Sequence, residues 1–316
     1  MLQLLRSVSQ DFLGLNRRDR DLVARYNPRR LVHATIHKLQ TKELLRAIDI
    51  PVADTFAVYR FQHDLKQFAA QAEAWDEFVI KPAQGSGGGG VIVVSGRQEQ
   101  DFMTLGEGVV SARVLESHLS DMLSGVFSLN HRYDEAFVER RLRAHQTLAT
   151  LSYQGLPDIR VIVFRGIPLM AMLRLATRVS KGRANLDAGG LGVGVDLVTG
   201  VTTGAIARRR WLHVHPDTAT PLAGVQISEW EELLHIATQC ADATGLKYIG
   251  VDIVLDAERG PCVLELNARP GLLIQLANRR GLRPLIEAVE QQSKSVHRRT
   301  VQERVEIGRA LSINAA

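Results

Sequence analysis

Four groups of residues in this 316-residue chain combine types and spacings that could do chemistry. The first is FVIKPAQGSGGGGVIVV, residues 78–94. Glycines without a Cβ let backbone N–H groups converge on an anion, and Lys81 at a strand end adds a fixed positive charge. A strand follows the loop, so the pattern is neither GxxxxGK[ST] nor a GxGxxG that opens a helix. The functional reading is a hairpin tip, Gln84 to Gly90, that closes over phosphates; the ordinary reading is a loose surface hairpin. The second group is YIGVDIVLDAERGPCVLELNARPG, residues 248–271. Period-two geometry puts Glu265 and Asn267 on one strand face. A symmetric hairpin centred between Glu258 and Arg259 sets Asp252 opposite Glu265, and Asn267 opposite Gly250, which leaves room there. Two carboxylates and an amide oxygen are hard ligands suited to magnesium; polar residues on a half-exposed sheet are the alternative.

The third group is rich in arginine. Asp158 and Arg160 share one face of a strand in DIRVIVFRGIPLMAMLRLAT, and the turn near Gly166 to Pro168 decides the place of Arg174. A three-residue turn sets Arg174 opposite Arg160, and an even turn sends it to the other face. Forked guanidinium donors suit a carboxylate or an acyl phosphate; ion pairing with Asp158 is the structural alternative. The fourth group, FVERRL, could present backbone to an adenine edge and Leu142 to the ring, or be a plain strand between lobes. His145 reads either as a ribose contact or as a surface histidine. No HExxH, HxH or GxSxG pattern occurs.

The elements that must position these groups alternate. Residues 1–31 read as an N-terminal helical segment, amphipathic at its start, and residues 35–48 show a helical period ended at Pro51. Residues 77–82 and 90–95 read as strands flanking the glycine loop, with helical segments at 64–74 and 110–124. AFVERRL, 136–142, reads as a strand entering a new region. A hairpin over 158–177, a glycine-rich stretch over 178–204, a helix over 228–244 and two strands ending at ARPG follow. Residues 283–290 read as a helix and 291–316 as a mixed-charge, solvated terminal helix. Hairpins among helices give an α+β pattern rather than a βαβ one. The expected organisation is the N-terminal segment, a first lobe over 32–138, a second over 139–290 and a tail over 291–316.

Composition excludes several classes. Hydrophobic residues make up 45% and charged ones 23%, as in ordinary folded domains rather than disordered or collagen-like chains. No apolar run reaches the length of a membrane span, and no signal-peptide pattern opens the chain. Two cysteines, Cys240 and Cys262, form no CxxC pair and fit a reducing cytoplasm. The net charge of +5 rests on 32 arginines and 7 lysines, which makes the placement of each lysine informative. An aromatic share of 5% argues against a stacking platform for nucleic acid, despite the run Arg208 to Arg210.

Taken in order from about Lys38 to Leu276, these elements resemble the ATP-grasp superfamily, and within it the alpha-L-glutamate ligase (RimK-like) branch. The resemblance implies an ATP-grasp fold of two α+β lobes sandwiching ATP. It matches Lys38 and Lys81 to the two nucleotide lysines, and Gln84, Gly85, Ser86, Gly87 and Gly88 to the glycine-rich loop. Glu139, Arg140, Arg141 and Leu142 match the hinge, with His145 beyond it. Asp158, Arg160 and Arg174 match the DxR pair and the later arginine. Asn185 matches an NLxxGG asparagine, and Asp252, Glu265 and Asn267 match the magnesium set. The implied activity is ATP-dependent ligation of a carboxylate to an amine through an acyl phosphate, with two magnesium ions, or manganese in their place. Arg160, Arg174 and Asn185 would hold the acyl phosphate or substrate carboxylate, and Arg269 would assist at the phosphoryl group. Asp187 stands where that branch commonly has histidine. Its fuller N-terminal domain is represented by only 37 residues before Lys38, so part of the usual substrate platform is expected to be missing or supplied by a protein partner, and a homo-oligomer is a separate expectation. The substrates expected are an amino acid such as glutamate and an amine-bearing acceptor, with neither nucleic acid nor membrane involved. Two other readings share the nucleotide residues: a phosphotransferase that stops at a phosphorylated product, and an ATP-binding regulatory subunit without turnover.

Overall fold

The computed structural model describes residues 11–85, 87–128, 131–207, 210–292 and 294–314. Residues 1–10, Ser86, Arg208 and Arg209, which figure in the expectations above, lie outside the described residues. A helical stretch over residues 15–26 and two further helices, α1 (Arg29–Ile36) and α2 (Lys38–Arg46), precede the first strand. The chain divides into a smaller unit, residues 37–39 and 53–143, and a larger unit formed by the rest.

The smaller unit is an antiparallel sheet of β1 (Thr55–Tyr59), β2 (Phe78–Pro82), β3 (Ile92–Gln98), β4 (Asp101–Thr104), β5 (Gly108–Val110) and β6 (Ala136–Arg140), in the order β1-β6-β2-β3-β4-β5. Helix α3 (Ala112–Leu123) buries Leu115, Leu119, Met122 and Leu123, a stripe at the i, i+4, i+7, i+8 spacing of one helix face. It packs with Phe78, Ile80, Val94 and Val138 of the sheet. Strand β6 lies between β1 and β2. Expected to open a second lobe at 139, it instead keeps the chain in the smaller unit as far as residue 143. The reason lies in AFVE, which is buried throughout and so needs a neighbour on either side.

The larger unit holds β7 (Asp158–Phe164), β8 (Ile167–Leu175), β9 (Leu191–Val195), β10 (Thr202–Ala207), β11 (Arg210–Leu212), β12 (Tyr248–Asp256) and β13 (Gly260–Asn267), in the order β11-β10-β9-β8-β7-β12-β13. Side chains alternate between the two faces. Val161, Leu173, Val251 and Ile253 pack with Leu233, Ala237 and Cys240 of α4 (Trp230–Thr244). Ile162, Met170, Met172 and Tyr248 pack on the opposite side with Leu13, Leu22, Ile274 and Leu285, the last from α5 (Arg283–Gln291).

Two hairpins of this sheet differ from the expected geometry in the same way. β7 and β8 join through a two-residue turn, Arg165–Gly166, with φ of 50° and 76°, the positive pair that suits the right-handed twist of flanking strands. Left regular, that even turn would send Arg174 to the far face. A bulge shifts the pairing from Val163↔Pro168 to Ile162↔Met170, leaving Leu169 unpaired and setting Arg174 opposite Asp158 rather than Arg160. β12 and β13 pair first as Asp256↔Gly260, a tighter turn than the symmetric one. A second bulge at Leu264 then restores the expected Asp252↔Glu265 and Gly250↔Asn267 pairs. The room expected beside Gly250 is filled by the turn after β13: a Cβ there would stand 2.7 Å from Cβ of Pro270.

Both described ends of the chain join the larger unit. Leu13, Leu22 and Val23 are buried with the sheet. Asn27 donates to the carbonyls of Tyr248 and Ala268 and accepts from the amides of Lys247 and Tyr248. Residues 301–314 form the expected terminal helix, α6 (Val301–Asn314), but it is docked rather than solvated. Val305 and Arg304 are buried, and the Arg304 guanidinium donates to both oxygens of Asp242 on α4 at 2.7 and 2.5 Å. Gly308 lies so near β8 that a Cβ on it would fall 2.2 Å from the Pro168 carbonyl oxygen.

Candidate functional site

On the sheet face of the larger unit that carries Asp158, the β8 bulge and the regular pairing of β7 with β12 bring four charges together. Arg160 stands opposite Asp252 across β7 and β12 and donates from Nε and Nη2 to Oδ1 and Oδ2 at 2.7 and 2.6 Å. Arg174 donates from Nη2 to the same Oδ2 at 2.6 Å and from Nε to Asp158 Oδ1 at 2.5 Å. All four side chains are nearly buried, and two positive charges balance two negative ones. Burial pushes the Asp158 carboxyl up to about 6; Arg174 opposes this, and the Asp252 charge adds to it. Burial also raises Asp252, but Arg160 and Arg174 together hold it below the usual carboxylate range. The Arg174 guanidinium is held charged by Asp158 and Asp252 against its own burial.

Glu265 and Asn267 extend this face along β13 and are half-buried. Their side chains form no hydrogen bond among the described residues, although the Glu265 charge acts on Arg174. Their oxygens, with the Asp252 carboxylate opposite, form a donor set that fits a magnesium ion. At Asp252 the ion would share oxygens already bonded to guanidinium groups. No group of three or more histidine, cysteine, aspartate or glutamate side chains is gathered for a metal among the described residues.

Two other expected residues serve as local caps. Asn185 accepts from the Asp187 amide at 2.9 Å, closing the turn Leu186–Ala188, which leaves its amide NH2 to donate to an anion. His145 Nδ1 accepts from the Thr147 amide at 3.4 Å at the start of the short helix Gln146–Ala149, so its ring holds a helix end. Arg269 is exposed.

In the smaller unit Lys81 of β2 is ion-paired with Glu139 of β6, and both are largely buried. Lys38 donates from its backbone to the Ala83 carbonyl at 2.9 Å and from Nζ to the Gly85 carbonyl, so one lysine braces the start of the glycine-rich loop while the other stands at the strand end. Gly87, Gly88 and Gly90 have φ of 62°, 77° and 76°, which explains the choice of glycine at these positions. The Arg140 amide bonds the Asp54 carbonyl at 2.8 Å, Arg141 pairs with Glu77 at 2.8 Å, and Leu142 is buried.

Sequence reasoning missed Asp134. Buried just before β6, it accepts from the Gln84 amide at 3.0 Å and the Ser128 hydroxyl at 2.5 Å on Oδ2, and from the Gln84 side-chain amide at 3.3 Å and the Glu135 amide at 2.8 Å on Oδ1. An isolated aspartate before a strand carries no spacing signal that could have marked it.

Residues 17–291 match the model of a family described as sugar-transfer associated ATP-grasp, and the fold is the ATP-grasp fold. That match reaches the superfamily without singling out its glutamate-ligase branch. None of the curated proteins compared with the chain matches it. Among solved structures, it is similar to the ATP-grasp ligase PsnB complexed with minimal precursor, at 19% identity over 85% of this chain and 64% of that one, with a TM-score of 0.45. It is also similar to the D-cycloserine synthetase DcsG, at 16% identity over 89% and 73%, TM-score 0.45. The D-alanine–D-alanine ligase of Bacillus anthracis matches at 16% identity over 89% and 70%, TM-score 0.40. The chain spans just under two thirds of the PsnB chain it matches.

Proposed function

Because this chain belongs to the sugar-transfer associated ATP-grasp family, we propose that it is an ATP- and magnesium-dependent carboxylate–amine ligase. It would join an amino acid such as glutamate to an amine-bearing acceptor; the family description suits an amine carried on a sugar. The observation that supports this most is the run of Arg160, Arg174, Glu265 and Asn267 along one sheet face, which pairs oxyanion donors with hard oxygen ligands.

In this reading Lys38, Lys81 and the loop from Gln84 to Gly88 hold the nucleotide phosphates, and backbone along Glu139 to Leu142 meets the base. Asp252, Glu265 and Asn267 hold magnesium, which supplies charge neutralisation at the phosphate oxygens when bound. Two guanidinium groups, kept charged and aligned by Asp158 and Asp252, orient the carboxylate and then the acyl phosphate. The Asn185 amide and Arg269 add donors. The carboxylate oxygen takes the γ-phosphoryl group with loss of ADP; the amine attacks the acyl carbon, and phosphate leaves as the amide forms. Such transfer needs positioning and charge rather than a nucleophilic side chain.

The test is purified protein with Mg-ATP, a panel of amino acids, and amine acceptors that include amino sugars. ADP release that depends on one pair, with an amide of the summed mass minus water, is the expected outcome. Glu265→Gln is expected to slow ADP release by roughly 100-fold or more. A phosphorylated product without an amide would point to the phosphotransferase, and ATP binding without turnover to the regulatory subunit.

A further inference from the structure

The glycine-rich loop of the smaller unit is fastened at its start to the segment between α3 and β6, and at its far end to that segment and to α3 itself. At its start, Asp134 accepts from both the backbone and side-chain amides of Gln84. Gly85 forms an isolated antiparallel bridge with Ser128, whose hydroxyl donates to Asp134, and its carbonyl accepts from Lys38 Nζ. At its far end the Gly90 carbonyl accepts from His118 Nε2 at 2.7 Å, which therefore carries the ring proton. The Phe127 ring covers Gly90 so closely that a Cβ there would lie 2.6 Å from Cγ. Asp134 is the hub: it is buried, and each oxygen accepts two hydrogen bonds. An ionised carboxylate makes the stronger bonds of this kind, and nothing in the proposed chemistry needs one there.

We propose that Asp134 is a positioning residue for nucleoside triphosphate binding: it clamps Gln84 directly and Gly85 through Ser128, so the loop's N–H groups are set before the phosphates arrive. Ligand affinity then does not have to cover the cost of ordering the loop. This inference rests on reading the loop as a phosphate cradle. In Asp134→Asn, keeping the oxygen beside Glu135 puts an NH2 group where Gln84 and Ser128 donate. The Ser128 hydroxyl can turn to accept, but the Gln84 N–H cannot, so this bond is lost selectively.

Two measurements on the full chain test this, for Asp134→Asn and, as a milder change less prone to misfolding, Ser128→Ala. The first is amide hydrogen exchange at Gln84 and Gly85 without nucleotide; the second is Mg-ATP affinity by calorimetry. The expected result is faster exchange at both amides and an affinity lowered about tenfold by Asp134→Asn and less by Ser128→Ala, the fold remaining intact by far-ultraviolet circular dichroism. Wild-type exchange in both variants overturns the clamp, and faster exchange with unchanged ATP affinity overturns its role in binding. If the wild-type chain binds no ATP, the phosphate-cradle reading fails and the nucleotide role with it; altered exchange then still supports a structural clamp.

Discussion

Asp252 receives three guanidinium N–H bonds with no exposure to solvent, whereas Glu265 directly opposite accepts none among the described residues. Their substitutions should therefore separate stability from chemistry. Asp252→Asn leaves two buried guanidinium groups short of an anion and is expected to lower unfolding free energy by about 3–5 kcal/mol in urea titrations. Glu265→Gln, half-buried and unbonded, should stay within about 1 kcal/mol of wild type while losing turnover. Asp158 makes a second contrast. Its carboxyl is raised to about 6, above its unfolded value, so its contribution to stability is fully present below about pH 4 and is lost as pH rises through 6. The wild-type urea midpoint relative to that of Asp158→Asn should accordingly be higher at pH 5 than at pH 8. A difference that grows with pH would contradict this assignment.

At the scale of elements, helix α6 docks through a small residue and a buried ion pair. Gly308→Leu would drive a side chain into the Pro168 carbonyl and is expected to lower the unfolding midpoint, with a cost of at least 1–3 kcal/mol, about that of overpacking. That contact explains why the tail read as solvated: an approach by glycine and an arginine paired with Asp242 leave little hydrophobic period to detect. The strands were more legible. Alternation in VDIVL and VLELN put Asp252, Glu265 and Asn267 on one face, and the Asp252↔Glu265 pair formed as expected. It did so by another route, because a shorter turn and the bulge at Leu264 offset one another. Arg174 could not be assigned to a face from its spacing, since both turn length and the bulge at Leu169 enter that parity. The clamp at Asp134 left no trace because Gln84, which it holds, lies 50 residues away and is joined to it only by the fold.

At the scale of the molecule, the chain holds two units with separate cores, and the candidate residues divide between them. Both lysines and the glycine-rich loop belong to the smaller unit, while the arginines and oxygen ligands belong to the larger one. No helix among the described residues is long and apolar enough to cross a membrane, and a cytoplasmic site of action remains our proposal. The charge surplus of +5 is a property of the whole chain, but the buried quartet of Asp158, Arg160, Arg174 and Asp252 takes no part in it, because its own charges cancel. Dissolved ions therefore act on the two differently. At physiological ionic strength screening extends over about 8 Å of water and hardly enters a buried pair. If the proposed ligase reading holds, added salt should weaken the long-range attraction of anionic substrates to the chain and slow their capture, while the quartet proposed to align them keeps its geometry, so the turnover of bound substrate would be insulated from the salt that governs its arrival.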